Sequence, residues 1–248
     1  MEFDGQVALV TGGGQGIGQT TAEMFAEAGA SVVVADWNEE TAQAVADGIR
    51  SKGGKAVAIK CDVSKIEDAQ AAVALAVKEF GRLDILINNA GITRDASMLK
   101  MEPHQWDQVI AINLTGIFHM SKAAALVMKE QKYGRIVSAA STSAFGNFGQ
   151  LNYSATKSGV VGMTRTMSIE MSRNGITCNA VAPGFIETAM TNAIPKEMRD
   201  VAVSRIPVGR AGITKDIART YLFLASPDAG FITGQLIVVD GGSTVSRS

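Results

Sequence analysis

"VTGGGQGIGQTTAEMFAEAGA", Val10–Ala30, runs from the end of an apolar stretch through a glycine-rich loop into a helical pattern. Its spacing is Gly12-x-x-x-Gly16-x-Gly18, and no register of these glycines fits the strict G-x-G-x-x-G fingerprint. The physical logic survives the mismatch. Glycines permit a tight turn and close backbone approach. A helix that opens directly after such a turn offers free N–H groups to a phosphate. Placed between a first strand and a first helix, the loop reads as a dinucleotide pyrophosphate site.

Outward from this loop, short apolar runs alternate with longer helical stretches. The runs are Val7–Thr11, Ser31–Asp36, Ala56–Asp62, Leu83–Gly91, Gly134–Ser141, Ile176–Gly184 and Leu236–Gly242. Near-continuous apolar strands are buried on both faces, so they belong to a parallel sheet covered by helices. The expectation is α/β: a single-domain Rossmann-type, doubly wound parallel sheet of about seven strands, with helices on both faces, spanning residues 1–248. Asn174-Gly175 supplies a helix stop before the sixth strand. Val160, Met163, Thr164, Met167 and Met171 form a helical stripe that reads as core packing. Residues from Pro183 to about Gly212, with Pro195 and Pro207, are the least regular, and a substrate lid is expected at about 185–212.

Composition narrows the function classes. A formal net charge of −1 gives no global attraction to nucleic acid or to an anionic membrane. No apolar run approaches the ~18 residues of a membrane span. The start, MEFDGQ, does not have a signal-peptide shape. Cys61 and Cys178 lack metal-ligand spacing and read as buried free thiols of a reducing compartment, hence a cytoplasmic location and no metal. His104 and His119 read as structural.

Asp36 closes the second strand about 20 residues past the glycine loop, where a carboxylate can accept hydrogen bonds from ribose hydroxyls. It would repel a 2′-phosphate at contact distance, and Gln15 stands where an arginine would welcome one. These residues point to NAD(H) over NADP(H). Asp62 and Val63 after the third strand, and Asn89 after the fourth, lie at carboxyl ends where ligands of such sheets bind.

Tyr153 and Lys157 are i and i+4 on one helix face. An ammonium beside a phenol favours phenolate and lowers its pKa toward the range useful for general acid/base work. The pair opens the helix after the fifth strand, on the expected cofactor side of the sheet.

At these positions the chain resembles the short-chain dehydrogenase/reductase family. The resemblance covers essentially the whole sequence through TGGGQGIG, CDV, NNAG, the NLTG of Asn113–Gly116, the serine after GRIV, YSATK and the PGFIET of Pro183–Thr188. "NNAGITRD" and "APGFIETAMT" look especially like its 3-oxoacyl-(acyl-carrier-protein) reductase branch. The resemblance implies that Tyr153 exchanges the substrate proton and that Lys157 holds the nicotinamide ribose. A serine would bond the substrate oxygen, and Asn113 would hold a water next to Lys157. It also implies that Gly12, Gly16, Ile17 and Gly18 carry the pyrophosphate turn, and that Asp62, Val63 and Asn89 border adenine and ribose. Ile186 and Thr188 would meet the carboxamide. Strand register places the serine at Ser141, with Ser143 in reserve. Counting back from Tyr153 falls one short and names Ala140, which has no hydroxyl. Ser138 and Ser154 read as structural.

The substrate wall is expected from Ala144–Leu151 and the lid, with Phe145, Phe148, Leu151, Met190 and Ile194 as apolar groups. Lys129, Lys132, Arg135 and Arg173 are a candidate basic patch for an acidic partner. The resulting expectation is an NAD(H)-dependent oxidoreductase acting on a 3-oxoacyl or 3-hydroxyacyl thioester, with a possible acyl carrier protein or CoA as partner. The alternatives are a dehydrogenase of alicyclic or aromatic secondary alcohols, and a non-catalytic cofactor-sensing protein. Family members are commonly homotetramers, and the C-terminal "FITGQLIVVDGG" offers a packing segment.

Overall fold

The structure, a computed structural model, describes residues 2–192 and 195–246, and of Met190 and Asn192 the backbone only. The described strands are β1 (Val7–Thr11), β2 (Ser31–Asp36), β3 (Lys55–Lys60), β4 (Ile85–Asn88), β5 (Gly134–Ala139), β6 (Ile176–Pro183) and β7 (Leu236–Val239). They form one parallel sheet in the order β3-β2-β1-β4-β5-β6-β7. The order reverses direction between β1 and β4, which opens a crevice at the carboxyl ends of these strands. The glycine loop leaves β1 at this point.

The helices are α1 (Gly16–Glu27), α2 (Glu39–Ser51), α3 (Ile66–Phe80), α4 (Pro103–Ile110), α5 (Gly116–Gln131), α6 (Leu151–Met171), α7 (Ala189–Asn192), α8 (Lys196–Ser204) and α9 (Thr214–Ala225). Alternate strand residues serve opposite layers, as the pleat requires. Ala8, Val10, Val32 and Val34 pack with Ala22 and Phe25 of α1, Val45 of α2 and Leu224 of α9. Val7, Leu9, Val33 and Ala35 face Val73 of α3 and Met120 and Met128 of α5. A third cluster joins Val160 of α6 to Ala180 and Ala182 of β6. The methionine stripe on α6 is core: Met163 packs against this third cluster, and Met167 and Met171 against the second.

Local signals set the element ends. Asn38 caps α2 by accepting from the amides of Glu40 and Thr41, and Glu39 and Glu40 complement the positive end of that helix. Pro103 starts α4, where a missing N–H does no harm. Gly81 ends α3 and Gly175 precedes β6, both in the left-handed region.

Three differences from the sequence expectations stand out. Residues 185–212 are less irregular than Pro195 and Pro207 suggest, because α7 and α8 lie within them; Pro195 sits at the N-cap of α8, where proline starts a helix instead of breaking one. Arg135 is buried and cannot serve a basic patch: its guanidinium donates to the carbonyls of Ser226, Gly134 and Pro227 and lies 4.4 Å from the Tyr133 ring centroid. Finally, α4, a π-turn (Ala111–Thr115) and α5 join into one helical stretch, Pro103–Gln131, long and apolar enough to cross a membrane by length and composition alone. Its buried apolar residues, Met120, Ala124 and Met128 among them, form the core layer against α3, β4 and β5.

Candidate active site

The glycine loop is shaped by contact. A Cβ at Gly18 would lie 2.0 Å from the Gly12 carbonyl oxygen, and Gly12 itself has φ +60°. Gln15, the N-cap residue of α1, makes no side-chain cap bond, and the first turn of α1 carries no acidic residue. The first amides of the helix therefore have no side-chain cap and no carboxylate of their own turn against them, which suits a pyrophosphate. Thr188 borders the same loop, its methyl 3.9 Å from where a Gly16 Cβ would stand. Thr188 is fixed by Thr191, whose hydroxyl receives the Thr188 amide at 2.9 Å. Ile186 is buried and bridges to Gly212.

Asp36 is buried at the end of β2, and its carboxylate holds the loop from beneath. One oxygen accepts from the Gly14 amide at 2.9 Å and the other from the Asn38 amide at 3.0 Å. Each oxygen keeps a further lone pair for a ribose hydroxyl. Asn89 has a structural part at this crevice. Its Nδ2 donates to the carbonyls of Thr11 and Gly12, tying β4 to the loop. Asp62 accepts from the amide and hydroxyl of Ser64, and Val63 packs against Gly116. His119 meets the Val63 carbonyl at 3.3 Å, a structural contact.

The reaction centre assembles from three elements. Asn113 sits fully buried inside the π-turn, a distortion often found at functional sites. Its carboxamide exchanges two hydrogen bonds with the backbone of Ile92, both 2.9 Å. A Cβ built on Gly91 would lie 3.3 Å from Asn113 Oδ1 and 3.7 Å from Lys157 Nζ, so the two groups converge. Lys157 Nζ donates to the Ala139 carbonyl at 2.6 Å and stands 5.4 Å from the Tyr153 ring centroid. Burial lowers Lys157 to about 8.

Ser141 caps the short 3-10 helix Thr142–Phe145, accepting from the Ser143 amide at 3.1 Å, and its side chain is near enough to the Tyr153 phenol to favour the phenolate. Ser143 is turned away and donates to Gln150 Oε1 at 2.9 Å. Of the two serines, Ser141 is the one whose side chain acts on the Tyr153 phenol. Ser138 is inside β5 and bonded to Asn88, and the Ser154 hydroxyl is buried with no partner among the described residues. The Tyr153 phenol departs from the sequence expectation. Burial raises its pKa above the ordinary value, Ser141 opposes this, and Asp95 adds to it. Burial of the phenol outweighs the favourable effect of Ser141.

Two supporting groups escaped the sequence reading. Asn152 is fully buried, donates to the Arg94 and Gln105 carbonyls and accepts from the Tyr153 amide at 2.7 Å, fixing the start of α6. Gln150 joins Ser143 and Asn147 to Asp95. Their only signal is that Gln150 and Asn152 are amides set singly among Phe148, Gly149 and Leu151 just before the tyrosine. Phe145, Phe148 and Leu151 are exposed, while Ile194 and the Met190 side chain lie outside the described residues.

Residues 12–244 match the family described as Enoyl-(Acyl carrier protein) reductase. The chain belongs to the short-chain dehydrogenase/reductase family. A 3-oxoacyl-(acyl-carrier-protein) reductase, FabG, of Thermotoga maritima is 41% identical over 99% of this chain and 100% of its own. The FabG of Vibrio cholerae is 44% identical over 98% of both chains. A (2S)-((R)-hydroxy(phenyl)methyl)succinyl-CoA dehydrogenase subunit, BbsD, of Thauera aromatica is 42% identical over 99% of both. The crystal structure of gox2181 superposes with a TM-score of 0.95 at 36% identity, covering 98% of this chain and 97% of that one. Membership makes the chain an oxidoreductase of this family, built on its Rossmann-like sheet.

Proposed function

We propose that this oxidoreductase interconverts a secondary alcohol and a ketone with NAD(H), acting on a 3-oxoacyl or 3-hydroxyacyl thioester. The observation that carries the reading is the Tyr153 phenol set near Ser141 and backed by Lys157 and Asn113, beside a glycine loop anchored by Asp36. Full-length likeness to FabG enzymes supports the thioester, and the likeness to BbsD makes CoA as natural a carrier as an acyl carrier protein.

The bound nicotinamide supplies the hydride. This chain's groups do the rest. Gly12, Gly16, Ile17 and Gly18 would hold the pyrophosphate, with Gln15 at the rim. Asp36 would take the ribose hydroxyls, while Asp62, Val63 and Asn89 line the adenosine side. Ile186 and Thr188 would bound the carboxamide end. Ser141 orients the substrate oxygen, and Tyr153 gives or takes its proton. Lys157, charged below a pH of about 8, stabilises the phenolate that follows proton donation. Asn113 keeps Lys157 in contact with a polar path through the backbone of Ile92.

Residues 185–212, carrying α7 and α8, serve as the lid over this centre. A second reading, an aromatic or alicyclic alcohol as substrate, draws on the exposed Phe145 and Phe148 rings next to Ser141. The unpaired thiols Cys61 and Cys178 support a reducing, cytoplasmic setting. The exposed apolar residues of α5, α6 and the β7 edge support a homotetramer.

Initial rates with acetoacetyl thioester and a cyclic ketone, each with NADH and NADPH, test the reading. NADH should be preferred, and Tyr153→Phe should remove nearly all turnover, by ~10³-fold or more, with NADH binding close to intact. Unchanged turnover in that variant would defeat the mechanism, and a strong NADPH preference would overturn the role given to Asp36.

A further inference from the structure

The C-terminal turn after β7 is tied to both walls of the reaction chamber. On one side, Gly241 and Gly242, both at positive φ, touch the end of the lid. A Cβ at Gly241 would lie 2.6 Å from Ile206, one at Gly242 would lie 3.2 Å from Pro207, and the Val208 amide donates to the Gly241 carbonyl. On the other side, Thr244 closes a cleft of about 400 Å³ whose remaining lining is Thr142, Ser143, Phe145, Gly146 and Asn147. This cleft begins next to Ser141, whose hydroxyl accepts from the Ser143 amide and acts on the Tyr153 phenol.

The cleft's chemistry is specific. None of these six residues is charged. Asp240 holds the turn: its carboxylate accepts from the amides of Gly242 at 2.9 Å and Thr244 at 2.7 Å and from the Ser243 hydroxyl at 3.1 Å. The Thr244 hydroxyl, on an exposed residue at the rim, is free to accept. Ser143 can only accept, since its proton goes to Gln150. An accept-only hydroxyl facing a second one free to accept favours a ligand with N–H groups. Asn147 donates one N–H to Gln150 and keeps its carbonyl oxygen and second N–H, a match for either side of an amide.

We infer that Thr244, held by Asp240 on the C-terminal turn, and Ser143 together bind the neutral, amide-bearing arm of the substrate next to the reacting carbonyl. The inference deepens the proposed function, since an amide-bearing arm is what a pantetheine thioester carries. The carrier beyond the arm is either CoA or a protein.

Calorimetric binding in a Tyr153→Phe background with NADH present reads this site without turnover. Acetoacetyl-N-acetylcysteamine carries the amide, and ethyl acetoacetate lacks it. Thr244→Val, isosteric, and Ser143→Ala should each weaken the first about fivefold and move the second less than twofold, with NADH affinity and melting temperature unchanged. Thioester affinity within twofold of the parent in both variants, or an equal loss for both ligands, would overturn the inference. Acetoacetyl-CoA and acetoacetyl-carrier protein, run in parallel, show which source binds more tightly than the arm alone. A protein that binds the arm yet, with Tyr153 restored, reduces no thioester would count against the functional reading and not against this site.

Discussion

Lys157 carries its charge into a chamber from which water is nearly excluded, and this has a measurable signature. Its value falls from 10.5 to about 8 on folding, through burial. Between these two values the unfolded chain binds a proton that the native chain has released, so this group's contribution makes stability rise with pH across that window. Below pH 8 both states are protonated and the cost of burying the charge is present in full. Stability should therefore increase from pH 8 to 10.5 in the wild type relative to Lys157→Met, compared by guanidinium midpoints at each pH. Parallel curves would mean that Lys157 is not desolvated as described. Cys61 and Cys178, pushed up to about 12 by burial, are common to both proteins and cancel in the comparison. The tyrosine–lysine spacing was legible in sequence, because i and i+4 must share a helix face. The direction of the Tyr153 shift was not, since it depends on water excluded by residues distant in the chain.

Among elements, the strands and the glycine loop could be read early because burial on both faces writes itself as unbroken apolar runs. Each of the seven runs marks a strand of the sheet: the first two coincide with β1 and β2, β3 starts one residue before its run, and the last five runs extend beyond their strands at the ligand side. Helix starts were harder to see when their cap was a single side chain. Asn38, directly after Asp36 and Trp37, caps α2 while its own amide bonds Asp36. Asn38→Ala should cost about 1 kcal/mol in chemical denaturation. It keeps the amide that Asp36 accepts from, so NADH affinity should change little; a stability change below about 0.3 kcal/mol would show the cap to be idle. The helices α7 and α8 were hidden because Pro195 reads as a breaker until its place at an N-cap is known. Arg135 looked like surface charge because its partners are carbonyls, which no side-chain pattern announces.

At the scale of the molecule, the sheet ends in β7, a four-residue strand with an open edge, and the nearby side chains are unusually apolar. Phe231 is fully exposed, Phe223 half-exposed, and Val238 faces outward. An exposed edge beside such a patch calls for a cover, and the proposed tetramer provides one. Light scattering should give four chains for the wild type, and Phe231→Asp should reduce the mass to two. A monomeric wild type would remove the tetramer from the reading. Nothing in the apolar pattern of LIVV distinguished an edge strand from a central one; only the final strand order does so.

The π-turn at Ala111–Thr115 gives the long central helix a counting rule. It houses one residue more than regular winding needs. Deleting a single residue there would regularise the backbone hydrogen bonds and, because the bulge absorbs the extra residue, would keep Val109 and Ile117 on their buried faces. The residues inside the turn would shift instead, and Asn113 would swing off Ile92. Length is thus as strictly specified at this spot as identity. A one-residue shortening that looks harmless to local helix propensity would disconnect the polar path behind Lys157, while the same deletion in the Arg94–Leu99 connection would leave that path in place.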